Sequence, residues 1–262
     1  MSDTRLYSSM MQESPNLDHA RELLNIATEC ARINDRIHGG NTLLHYVADL
    51  HEPPEVVAEM IQLLLNKGAD SSIRNNNGFI PLHLAVRVSN RTLALKALLT
   101  SPTARIDVST RTTDGRSALM LAVCQRHLDT VEFLLDHGVD ATDRETMRLA
   151  LQAKHRGIIS ALLIHGAFTD STLLVQAIET GDRVIVEMFL NRNQNVNSKD
   201  ELTGITMLVR AIWQRDTRMF SMLVDHGADM SARDLEGKTI IHHAAEQGTV
   251  DILNLLISNG GG

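Results

Sequence analysis

Three heptapeptides in this chain are near copies of one another. They read T-L-L-H-Y-V-A at Thr42–Ala48, I-P-L-H-L-A-V at Ile80–Val86 and T-I-I-H-H-A-A at Thr239–Ala245. A chain that repeats itself builds its fold from one unit many times, and the period says which unit. The position of His45 recurs at His83, Met120, Arg148, Val175, Val209 and His242, in steps of 38, 37, 28, 27, 34 and 33 residues. Steps around 30–35 residues predict stacked supersecondary units.

A second motif fixes the register. It reads L-L-L-N-K-G-A-D at Leu63–Asp70, F-L-L-D-H-G-V-D at Phe133–Asp140, L-L-I-H-G-A at Leu162–Ala167 and M-L-V-D-H-G-A-D at Met222–Asp229. Each is an apolar helix end followed by a residue that tolerates positive φ. In the fifth copy Asn193 takes the glycine's place, and asparagine is the next best residue for that backbone. Between the motifs, apolar residues fall three and four apart, as at Ile252, Leu255 and Leu256, which predicts a second helix per unit. Aromatics are only 3% of the chain, so thin layers of aliphatic and small side chains must supply the core.

The sequence resembles the ankyrin-repeat family. The best-matching stretches are Asp234-Leu-Glu-Gly237-Lys-Thr239-Ile-Ile-His242-His-Ala244-Ala245 and Asn77-Gly78-Phe-Ile-Pro81-Leu82-His83. The resemblance implies an all-α solenoid of helix-turn-helix units with projecting β-hairpin fingers. About seven repeats are expected over residues 35–262, near 35–74, 75–110, 111–143, 144–170, 171–199, 200–233 and 234–262. Residues 16–34 are expected to form a capping helix, and residues 1–15 a disordered tail. The two short steps predict truncated fingers at Asp140–Arg148 and Ala167–Leu174. His51-Glu-Pro-Pro-Glu55 predicts a non-helical insertion.

The same resemblance assigns His45, His83 and His242 to hydrogen bonds at the start of the inner helix. The histidines therefore do not predict a metal site, and no C-x-x-C or H-E-x-x-H spacing is present. No nucleotide-loop or nucleophile-elbow motif is present either, and no cofactor is expected. Cys124 with His127 at i+3 reads as a helix end and its connection, not as a nucleophile with its base.

A net charge of −7 argues against non-specific nucleic-acid binding. No apolar run predicts a membrane span, and the N-terminal residues do not read as a signal peptide. Two cysteines, Cys30 and Cys124, predict a reduced setting, cytoplasmic or nuclear. The expectation is a monomeric, non-catalytic adaptor that binds a protein on its concave face. The resemblance places contacts at finger tips and inner-helix ends, where Leu50 and Val88 are also expected to be exposed. Trp213, the single tryptophan, Ile205, Leu202, Leu235 and Phe79 are the candidate anchors, with Gln214, Arg87 and Arg116 beside them. Two alternatives accompany this: a regulatory or targeting segment of a larger protein, and a small-molecule or enzymatic groove.

Overall fold

The computed structural model describes residues 33–104, 106–192, 195–200 and 202–258. The expected tail and nearly all of the expected capping helix lie outside them, as do Cys30 and Asn193. The described residues form two compact units, divided between Ala141 and Thr142.

In the first unit the helices are α1 (Leu43–Ala48), α2 (Pro54–Asn66), α3 (Pro81–Ala85), α4 (Thr92–Thr100), α5 (Ala118–Cys124) and α6 (Leu128–Asp136). The inner helices α1, α3 and α5 stack in chain order, and the outer helices α2, α4 and α6 do the same. Inner helices this short are unstable alone. Burial between neighbours holds them: in α5 every residue from Ala118 to Val123 is buried. The prolines of the insertion behave differently from expectation. Pro53 is the N-cap and Pro54 the first residue of α2, because the N–H that proline lacks has no helical partner at that position.

The histidine slot is a polar clamp between layers. In α1, His45 Nδ1 accepts from the Thr42 backbone N–H at 3.2 Å, while Nε2 donates to the Phe79 carbonyl of the next repeat at 2.9 Å. His83 repeats this, accepting from Ile80 N–H at 3.1 Å and donating to the Thr110 carbonyl at 3.0 Å. A carbonyl only accepts, so Nε2 carries the proton and Nδ1 is the acceptor. Both rings are fully buried. Burial pushes the His45 imidazole down, and takes His83 from 6.5 to about 4.

Arg91 closes the insertion. It is 2% exposed, and its Nη2 donates to the Leu50 carbonyl just past the end of α1. Leu50, whose carbonyl the buried Arg91 holds, and Val88 are buried instead of lying on the surface as expected. Arg91→Ala is expected to cost about 2 kcal/mol in a urea melt, from the cavity and the orphaned carbonyl. Arg91 Nε and Nη1 have no partner among the described residues. Arg91→Met, which removes those N–H groups and keeps the bulk, should recover part of the loss. An equal loss in both variants would refute this account.

The second unit comprises α7 (Arg144–Ala153), α8 (Arg156–Ile164), α9 (Ser171–Glu179), α10 (Arg183–Leu190), α11 (Met207–Trp213), α12 (Thr217–Asp225), α13 (Ile240–Glu246) and α14 (Val250–Ser258). Inner helices α7, α9, α11 and α13 stack in order, α8 packs on α10, and α12 packs on α14. The chain enters α7 and α9 without a finger. Asp143 and Asp170 cap them, accepting from Glu145 N–H at 3.2 Å and Leu173 N–H at 2.8 Å. These two inner helices run 10 and 9 residues, against 7 for α11 and α13, so extra helix stands where the finger is missing. Ion pairs of exposed arginines with half-buried carboxylates join these layers, Arg144–Asp170 at 2.8 Å and Arg156–Asp182 at 2.6 Å. Full fingers return before α11 and α13, each pinned by one antiparallel bridge, Lys199–Thr206 and Arg233–Thr239.

Candidate interaction site

The fingers before α11 and α13 are stiffened from inside. In the first, Asp200 Oδ1 accepts from the backbone N–H of Leu202 and Thr203 and from the Thr203 hydroxyl, at 3.1, 2.9 and 2.8 Å. In the second, Asp234 Oδ1 accepts from the N–H of Glu236 and Lys238, at 2.9 and 2.8 Å. An aspartate that folds its own turn in this way replaces lost backbone pairing. The two fingers are also joined, because Leu235 N–H donates to the Thr203 carbonyl at 3.1 Å. Gly204, at φ 72°, makes this approach feasible: a Cβ there would lie 2.8 Å from the Leu235 nitrogen.

These turns hold two leucines out in water. Leu202 is 88% exposed and Leu235 71%. Below them Trp213, at the end of α11, is 43% exposed. Its ring meets the His243 ring of α13 edge-on, with centroids 6.1 Å apart. His243 is buried, and its Nε2 lies 2.9 Å from Asp234 Oδ2. Burial works against the Asp234 carboxylate, but the N–H bonds from Lys238 and Glu236 and the His243 contact outweigh it. Its pKa is held below the ordinary range. Lys238 Nζ sits 3.0 Å from Glu246 and 3.3 Å from Glu236. These bonds raise the lysine pKa and lower that of Glu246. All of these groups line one open recess of about 410 Å³, together with half-buried Ile205.

Of the candidates from sequence, Leu202, Ile205, Trp213 and Leu235 thus come together. Gln214 is exposed, but its amide donates to the Ile178 carbonyl of the preceding repeat at 2.9 Å. Phe79, Arg87 and Arg116 belong to the first unit. Phe79 is half-buried, edge-on to His83 at 5.8 Å, with the Arg87 guanidinium 6.0 Å above its ring. Arg116 pairs with Asp114 at 3.0 Å. The His243–Asp234 pair is what sequence reasoning missed. His243 lies one residue beyond the repeated histidine slot, and only the intervening finger turn brings it back onto Asp234.

Cys124 is exposed, while His127 Nδ1 donates to the Val86 carbonyl at 3.2 Å, so the ring is engaged by the previous layer. Among the described residues, no group of three or more His, Cys, Asp or Glu side chains is placed to hold a metal ion. Likewise no helix among them is long and apolar enough to cross a membrane.

Comparison with known proteins agrees with this architecture. The family described as ankyrin repeats in three copies matches residues 9–110, 88–173 and 174–261. The chain is 24% identical over 201 residues to the mouse B-cell lymphoma 3 protein homolog, covering 71% of this chain and 45% of that protein. It is 29% identical over 277 residues to the human transient receptor potential cation channel subfamily A member 1, covering 84% of this chain and 24% of that protein. The chain therefore spans less than half the length of either relative. The crystal structure of the ankyrin repeat domain of Bcl-3 superposes with a TM-score of 0.52 at 24% identity, covering 95% of this chain and 97% of that one. With a family match over nearly its whole length and clamped helix pairs stacked layer on layer, the chain belongs to the ankyrin-repeat family.

Proposed function

We propose that this chain is a non-catalytic protein-interaction module whose second unit docks a partner at the Trp213 recess. Ankyrin repeats are generally modules for protein–protein interaction. The observation that carries the assignment to this site is the joined pair of finger tips. They hold Leu202 and Leu235 in water above a half-exposed tryptophan. Keeping such apolar surface hydrated is unfavourable, and aromatic anchors flanked by aliphatic side chains are what interface hot spots contain. A binding role fits the recess better than a catalytic one. His243 has an aspartate partner, but the hydroxyl that lines the recess, on Thr203, is directed to Asp200.

Trp213→Ala should weaken capture of the partner at least tenfold, about 1.4 kcal/mol or more, as truncation of a hot spot does. The measurement is quantitative affinity capture with wild-type and variant baits that show matching thermal melts. A folded variant that retains the same proteins at the same occupancy would sink the assignment.

A further inference from the structure

The charges around the recess say what kind of segment it takes, given the docking role proposed above. Its lining carries three carboxylates, on Asp234, Glu236 and Glu246, and one ammonium, on Lys238. The Asp234 carboxylate is turned inward to His243 and to its own finger. The side chains of that pair are only 6% and 7% exposed, so Asp234 builds the wall and is out of reach of a ligand. Lys238 is held between the two glutamates, and its positive charge is already shared. What faces solvent is therefore the glutamates, with side chains 75% exposed at Glu236 and 51% at Glu246. One lysine cannot neutralise both. The recess keeps a net negative charge beside the exposed apolar surface of Trp213, Leu202 and Leu235.

We infer that the recess takes a short peptide segment in which an apolar side chain lies next to arginine or lysine. The apolar side chain rests on Trp213 between Leu202 and Leu235, and the cation bridges Glu236 and Glu246. Arginine suits the rim better than lysine, because a planar guanidinium can donate to two carboxylates at once. An acidic segment or a nucleic-acid backbone would meet like charge at the same place. The joined fingers favour a segment that binds without rearranging the site, since Leu235 N–H already occupies the Thr203 carbonyl.

The test is selection of a random peptide library displayed on phage against the wild-type chain. Selected peptides are then titrated by fluorescence anisotropy against wild type, Glu236→Gln/Glu246→Gln and Leu235→Ser/Trp213→Ala, each with its melting curve. The expected consensus pairs a leucine, phenylalanine or similar residue with arginine or lysine. Affinity should fall about tenfold in the double glutamine variant and fall again between 50 and 300 mM salt in wild type, on the order of a few-fold. Selected peptides that are acidic or uncharged would overturn the inference. So would an affinity indifferent to salt and to the glutamine changes. If in that case Leu235→Ser/Trp213→Ala still abolishes binding, the docking site stands and only the partner's chemistry is wrong. If it does not, or if selection yields nothing, both readings fall. Self-association in sedimentation, lost in Leu235→Ser/Trp213→Ala, would assign the recess to a second copy and overturn the peptide inference.

Discussion

Acidification from pH 7 to pH 4 should remove about 3 kcal/mol from the first unit through His83 alone. The ring is neutral in the fold, with its pKa taken from 6.5 to about 4 by burial. The unfolded chain binds the extra proton across that window and the folded chain does not, so stability is retained above pH 6.5 and lost as the pH falls towards 4. A shift of that size corresponds to about 3 kcal/mol at 1.36 kcal/mol per unit. His45, also pushed down by burial, adds to the loss in the same direction. His83→Leu separates clamp from titration. At pH 7 it leaves the Ile80 N–H and the Thr110 carbonyl without their buried partner, at a cost of about 2–3 kcal/mol. It should then lose about 3 kcal/mol less than wild type between pH 7 and pH 4. Urea melts by circular dichroism at the two pH values decide the point. Trp213 fluorescence, read alongside, reports the second unit alone, because the chain holds no other tryptophan. Equal acid losses in wild type and variant would remove His83 from the account.

Valine in place of Gly204 should cost about 3 kcal/mol and disable the recess. At φ 72° a β-branched residue meets left-handed strain on the order of 1–2 kcal/mol, and overpacking adds a similar amount. The overpacking has a definite target. The new Cβ would sit 2.8 Å from the Leu235 nitrogen and 3.1 Å from its Cγ, so the second finger must move away. Opening the Thr203–Leu235 bond frees the Leu235 amide, whose hydrogen exchange should accelerate at least tenfold. Binding should fall with it, although no side chain of the recess has been changed. Slow exchange at Leu235 together with intact binding would show that the fingers do not depend on their mutual contact. Gly181 is the control. It also has positive φ, 73°, but a Cβ there meets nothing within 4 Å.

Local rules carried much of this architecture in the sequence itself. The motifs of an apolar pair, two further residues and a glycine end the outer helices at Asn66, Asp136, Ile164 and Asp225, and the short steps mark the layers that lack fingers. Those features depend on residues close in the chain. Pro54 was misread because proline is neutral in the first turn of a helix and disruptive only later. The site was legible in halves. Leu202, Leu235 and Trp213 announce themselves as large apolar residues at repeat positions that face outward. His243 and Asp234 do not, since their pairing needs the finger to fold back over α13. Gln214 was similarly opaque, because its partner is a carbonyl 36 residues earlier. Contacts between repeats follow from how neighbouring layers are spaced, which the period sets only coarsely.

The histidine clamp bears on how the first unit comes apart under load. Each imidazole caps its own helix with one nitrogen and grips the following layer with the other. Pulling the following layer away strands a buried N–H on the layer that stays, so each detachment should appear as a separate rupture, brittle and insensitive to electrolyte. The fingerless layers of the second unit are joined, besides their helix packing, by the pairs Arg144–Asp170 and Arg156–Asp182, whose arginines are exposed and which dissolved ions weaken. Held in an optical trap, the one stack would give a sawtooth of fixed height, and the other would soften as electrolyte is added.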